Sequence, residues 1–215
     1  MSAAPISPRL RKGALIGVDL FNPLASVVAF QYNPDTMTRK LEARGVNADG
    51  ERGEAFRLAG PPRETITLAL DIDATDQLAD GNALALASGI TPTLAALEMM
   101  LYPKSALVIA NSILSAVGTV EILPAEGPMI LFVWGPTRVL PVRLGSLSIV
   151  EEAYDANLNP TRAKVDLTLN VLSYNDLQFL SAGNALFMVH QIAKEVLATA
   201  NFFNNASDLG AVIRP

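Results

Sequence analysis

The sequence predicts an α+β chain that is mainly β, and three observations carry that prediction. From Glu64 to Asp73, Ile66, Leu68, Leu70 and Ile72 alternate with Thr65, Thr67, Ala69 and Asp71, the period of a strand with one buried face. From Thr161 to Ser173 the same period returns, with Ala163, Val165, Leu167, Leu169 and Val171 on one side and Lys164, Asp166, Thr168 and Asn170 on the other. Helical periodicity is confined to one internal segment and the C-terminal region, so strands and helices run in blocks rather than as alternating βαβ units.

Taken in order, residues 1–12 read as an N-terminal arm without the long apolar stretch of a secretory signal. Gly13 to Asp19 and Ser26 to Tyr32 are β-prone runs separated by the Asn22-Pro23 turn signal. The second run closes at Asn33-Pro34, and Arg39, Lys40 and Arg44 follow within a short polar stretch. From Leu41 to Pro62 the chain is rich in Gly, Arg, Glu and Asn, with "RGVNADGERGE" at its centre, which predicts an exposed excursion, long for a compact domain. Beyond the Glu64 strand, Thr91 is expected to cap a helix with Pro92 at its first position. That helix continues through Leu94, Leu97 and Leu101 until Pro103. Ser105 to Val120 carries no charge but is shorter than the roughly 20 apolar residues of a membrane span, and Asn111, Ser112, Ser115 and Gly118 interrupt it. It is read as a buried or partner-facing element. Met129 to Gly135 is a continuous β run ending in Gly135-Pro136, and Arg138 to Ala153 and Thr161 to Ser173 are long strands joined by the turn formers of "YDANLNPT". From Gly183 to Ala200, Leu186, Val189, Ile192, Ala193, Val196, Leu197 and Ala200 recur at helical spacing, an amphipathic helix that docks on this domain or on a neighbour.

Composition limits the chemistry. With 50% hydrophobic and 17% charged residues in 215, the chain is expected to fold around one main core. A net charge of −5 argues against a nucleic-acid partner, which selects a concentrated positive face. The absence of cysteine removes disulfides and thiolate chemistry and fits a reducing compartment such as the cytoplasm. His190 is the only histidine, so the common zinc sets cannot be assembled; it is read as a structural or interface residue. Asp71, Asp73, Asp76 and Asp80 lack the glycine and terminal glutamate of a calcium loop and read as a polar strand end. Glu151 and Glu152 are adjacent on a strand and point apart, which does not suit an acid/base pair. No glycine-rich phosphate loop or G-x-S-x-G elbow is found. No catalytic, cofactor-binding or metal-binding residue is assigned, and no enzyme is expected.

Several short motifs, in order, carry a resemblance. "FQYNP" closes an early strand with Phe30, Tyr32, Asn33 and Pro34; "PMILFVWG" holds Pro128, Leu131, Phe132, Trp134 and Gly135; "PTRAKV" opens the last hairpin strand with Pro160, Arg162, Ala163 and Val165. Together they resemble the tube-type baseplate proteins of contractile injection systems, the phage-tail-like particles. The resemblance covers residues 13–175. It implies a tail-tube-like β-sandwich or barrel with a flanking helix, to which residues 176–215 add the C-terminal helix and tail. It further implies a structural role: a ring, expected to be hexameric, that joins the spike or hub protein to the inner tube or tube-initiator protein, contacts other baseplate components and templates tube assembly. Arg39, Lys40 and Arg44 would then lie on an assembly arm and meet acidic surface on a partner. Such a particle is assembled in the cytoplasm and is then released or held at a membrane, with no direct insertion expected of this chain. Many members continue into a LysM-type module, whereas this chain ends in a helix and "NFFNNASDLGAVIRP", so peptidoglycan recognition is not carried over. Residues 104–127 read as an insertion. A tube protomer or tube-end protein of the same particle is the alternative, and a small-molecule-binding or enzymatic α+β domain a more distant one.

Overall fold

A computed structural model describes residues 11–18, 26–45, 58–103, 105–116 and 127–212. Among these residues seven strands form one antiparallel sheet: β1 (Ala14–Val18), β2 (Ser26–Ala29), β3 (Met37–Glu42), β4 (Arg63–Asp73), β5 (Met129–Val133), β6 (Val139–Tyr154) and β7 (Pro160–Val171), in the order β2-β1-β5-β6-β7-β4-β3. Among the described residues five helices accompany them: α1 (Thr75–Ala79), α2 (Ala83–Ser88), α3 (Thr91–Glu98), α4 (Ser105–Ala116) and α5 (Ala182–Val212). The chain is thus α+β and mainly β. Its sheet is not closed; β2 and β3 are the two ends of the ladder.

The core lies where the alternation places it. Ala163, Val165, Leu167 and Leu169 of β7 are fully buried, and Ile66, Leu68, Leu70 and Ile72 of β4 stand beside them in antiparallel register, with Leu68 opposite Leu167. Leu15, Phe30, Ile130, Phe132, Leu140 and Val142 complete the same cluster from the other half of the sheet, and Leu94, Leu97 and Met100 enter it from α3 and the turn that follows. The sheet is curled, because the Gln31 side chain beyond β2 accepts a hydrogen bond at 3.0 Å from the backbone N–H of Asp73, at the far end of β4. A cavity of about 60 Å³ remains in this seam, between Val28, Phe30, Leu70, Ile72 and Ile90.

Gly89 positions α3 at this end of the molecule. Its φ of 58° closes α2, and a β-carbon there would lie 2.1 Å from the Pro160 carbonyl oxygen, so only glycine fits. The same carbonyl accepts the N–H of Ile90 at 2.8 Å, tying the start of α3 to the start of β7.

Several expectations change. The polar stretch expected to be an exposed arm contains β3, which pairs with β4 from Met37 opposite Leu68 to Glu42 opposite Arg63. Gly45 bridges Leu58, so the predicted excursion from Leu41 to Pro62 is built on a hairpin whose central part, 46–57, lies outside the described residues. β2 ends at Ala29 rather than Tyr32. Thr91 is not the cap of α3: Ile90 holds that position without a side-chain bond, and the helix ends at Glu98, before Leu101. Ser105 to Ala116 is helical with exposed side chains at Val108, Ile109, Ile113 and Leu114, while 104 and 117–126 of the predicted insertion lie outside the described residues. The N-terminal arm is described only from residue 11. No helix among the described residues is long and apolar enough to cross a membrane.

Candidate assembly surfaces

Two of the three sequence motifs meet at one place, the start of β1. Phe30, 2% exposed, lies 6.4 Å from Trp134 between ring centroids, and Trp134 stacks on the fully buried Phe132 at 5.9 Å. The rings close over Gly13, where a β-carbon would come within 2.7 Å of Phe30 and 2.8 Å of Trp134. Asn33 fastens the backbone beside them: its Oδ1 accepts the Gly13 N–H at 2.9 Å and its Nδ2 donates to the Arg11 carbonyl at 2.8 Å. The Phe30 N–H donates to the Gly13 carbonyl at 2.8 Å. Gly135, at φ 77°, then turns the chain from β5 to β6, and the Trp134 N–H reaches the Arg138 carbonyl across that turn. Pro34 and Pro128 flank the node half-buried, and Tyr32 alone of its aromatics points outward, 53% exposed. These motif residues therefore join the ends of three strands. Pro160 and Arg162 sit elsewhere, at the β7 end that holds α3, where Arg162 and Lys164 flank Glu152 at 3.3 and 2.9 Å.

The three cations of the predicted arm also separate. Arg39 Nε and Nη2 both donate to Glu64 Oε1, at 2.7 and 2.5 Å, and Lys194 of α5 approaches Glu64 Oε2 at 3.4 Å. Glu64 is 6% exposed, so Arg39 is engaged within its own chain. Arg44 lies 3.6 Å from Asp176, whose carboxyl is held below its ordinary range; burial opposes this, and the bonds from the Ser173 hydroxyl and N–H outweigh it. Lys40 is on the surface, paired with the exposed Glu42 at 2.7 Å. Glu64, Asp176 and Gly13 had no signal in the sequence, since each owes its place to a partner distant along the chain.

His190 completes the cluster under α5. It is 8% exposed, its Nδ1–H faces the Thr137 carbonyl at 3.4 Å, and its Nε2 is buried without a hydrogen-bond partner among the described residues. Burial, followed by the nearby charge of Lys194, pushes its pKa below the usual histidine value. Asn184 Nδ2 is the other buried, unsatisfied polar atom on α5. Of the aspartates after β4, Asp73 accepts from the Thr75 hydroxyl and N–H, which lowers its pKa, and no group of three metal-ligating side chains occurs among the described residues.

Among the described residues the backbone offers open strand edges. β6 pairs with β5 only from Val139 to Val142, although it runs on to Tyr154 against β7. Beyond Val142 its outer side meets no strand among the described residues. Register shifts at Leu144/Ser146 and Glu151/Ala153 bracket a regular run from Ser146 to Glu151. β3 (Met37–Glu42) and the shorter β2 (Ser26–Ala29), the two ends of the ladder, likewise meet no further strand on their outer sides among the described residues. Compared with protein families and curated proteins, the chain matches no family model and no curated protein.

Proposed function

We propose that this chain is a structural component of a contractile injection system baseplate, forming a ring that connects the spike or hub to the inner tube and templates tube assembly. The sequence motifs suggest the class. The observation that best supports the reading is that two six-residue strand edges are open, the outer side of β6 from Ser146 to Glu151 and that of β3 from Met37 to Glu42, whereas the edge strand β2 has four residues. An exposed edge is a template for strand addition from another chain. Two different edges on one chain make a heterologous contact, which closes into a ring when the rotation fits. In that ring β6 of one copy adds to β3 of the next. Charge favours this pairing, since exposed Lys40 marks one edge and exposed Glu151 the other. The aromatic node around Gly13 holds the fold, and its motif residues act through the scaffold rather than by direct contact.

The test is mass by light scattering with negative-stain images, for the protein alone and with the spike and tube proteins encoded near it. Closed rings, or rings that appear with the spike protein and seed tube growth, are expected. A chain that stays monomeric with both partners would overturn the reading. Val150→Lys, at a 53% exposed position within the open run, should leave the monomer folded and abolish rings, because an edge lysine disfavours strand addition.

A further inference from the structure

Beside α5, positive charge exceeds negative. The buried Glu64 carboxylate is shared by two cations: Arg39 holds Oε1 through Nε and Nη2, and Lys194 approaches Oε2 at 3.4 Å. Arg138, half-buried just before β6, lies close enough to Arg39 and Glu64 for their charges to act on it. Its guanidinium makes no side-chain hydrogen bond or ion pair among the described residues. Three cations therefore meet one carboxylate, and two positive charges are left unbalanced there in a chain of net charge −5. Glu195 does not correct this: it is exposed, accepts from Gln191, and is turned about 100° from Lys194 around the helix. His190 is the second observation. It precedes Lys194 by about one turn on the same face, and the charges of Lys194, Glu64 and Arg138 all act on it. It is buried, yet its Nε2 has no hydrogen-bond partner among the described residues. A buried polar atom left in this way calls for a missing ion or partner.

We propose that Arg138 and Lys194, with Arg39, form a binding site for a phosphate-class dianion beside His190. The charge balance selects the ligand. A dianion neutralises the two surplus charges, whereas a single carboxylate leaves one of them standing. The donors suit it as well, because a guanidinium fork and an ammonium both bind phosphate oxygens through charge-assisted hydrogen bonds. Lys194, with a 41% exposed side chain, keeps the site open to solvent. The phosphate is either free or the ester of a small molecule. Binding is coupled to His190. Burial, the Lys194 charge and, to a lesser degree, the Arg138 charge oppose its protonation, while the Thr137 carbonyl and Glu64 favour it. An anion on the two cations offsets their opposition, so the occupied site accepts a proton more readily than the empty one. Binding then tightens as pH falls. The inference concerns the single chain and does not rest on the ring.

His190 is the only histidine, so its ring signal reports alone in the full chain. Sodium sulfate, whose charge does not change between pH 5.5 and 7.5, is exchanged for sodium chloride at constant ionic strength while NMR follows that signal. The signal should move along a saturating curve. Saturation should raise the pH at which the ring protonates by at least about half a unit, which is about threefold tighter binding to the protonated chain. Arg138→Gln and Lys194→Gln should each raise the midpoint concentration at least tenfold, and either variant decides if the other fails to fold. Lys40→Gln, on the opposite face of β3 from Arg39, should leave the midpoint unchanged. Inorganic phosphate and glycerol 3-phosphate then separate the two sources. Equal binding assigns the ester, and a tenfold preference for inorganic phosphate assigns the free ion. Acetate saturating at the sulfate midpoint would overturn the dianion. A drift without saturation, an unchanged midpoint in the folded variants, or a ring protonation that ignores sulfate would overturn the site.

Discussion

At the scale of single residues, the groups that matter most are those that tolerate no alternative. A methyl at Gly13 would press on two packed rings, and overpacking of this kind costs about 1–3 kcal/mol. Asn33→Ala removes two hydrogen bonds near the surface, each contributing about 1 kcal/mol. Gly89→Ala is expected to cost more than either, about 3 kcal/mol, because it combines a left-handed φ with a collision against backbone that cannot swing aside. Urea unfolding of the three variants should rank them with Gly89→Ala lowest in stability. If Gly89→Ala matched wild type, the tie between α2, α3 and Pro160 would be wrong. Glu64 makes the same point with charge. Glu64→Gln leaves Arg39 and Lys194 facing a neutral group in a buried setting and should cost about 2 kcal/mol, whereas Lys194→Met, at a 41% exposed side chain, should cost under about 1 kcal/mol.

At the scale of elements, α5 is held by contacts that respond to pH. The folded-state pKa of His190 is depressed, so the folded chain resists a proton that the unfolded chain accepts near pH 6.5. Its contribution is therefore fully present above that value and is lost as pH falls through the lower folded pKa. Facing it are Lys194 on α5, Glu64 on β4 and Arg138 beside β6, so a new positive charge enters a setting with two cations and one carboxylate. Because the chain has no other histidine, wild type should lose stability between pH 7 and 5.5 and His190→Gln should lose less, as measured by urea midpoints across that range. Equal slopes would show that His190 does not titrate against folding. Such couplings also mark the limit of reading elements from sequence. β4 and β7 were legible because burial on one face imposes period two, and the Ala182–Val212 helix was anticipated from Gly183 to Ala200 by its apolar spacing. β3 was not legible: Arg39, Lys40 and Glu42 have no apolar alternation, and the strand exists because β4 offers an edge and Glu64 a counter-ion, both distant in sequence. The motif residues were found, but their convergence on Gly13 depends on strand register, which no local pattern carries.

At the scale of the whole molecule, an open sheet of this length is a problem that the proposed association would resolve. The bulges that bracket the outer run of β6 limit strand addition to Ser146–Glu151, and β3 presents a run of equal length with opposite charge. If these edges meet between copies, the contact is heterologous, and reversing one charge harms every junction in the ring. Lys40→Glu places like charges at each junction, as does Glu151→Lys, and each variant alone should shift the assembly toward monomers at low salt. Exposed pairs contribute only about 0.2–1 kcal/mol each, but the penalty repeats at every junction, and salt near 0.5 M should mask it. An equimolar mixture then becomes the decisive sample. A ring that alternates the two variants restores opposite charges at all its junctions, so light scattering should recover the wild-type mass from two preparations that fail separately. Recovery in the mixture alone requires that residue 40 of one copy lie near residue 151 of another. Failure of the mixture, with both variants folded and wild type forming rings, would move the junction away from β3 and β6.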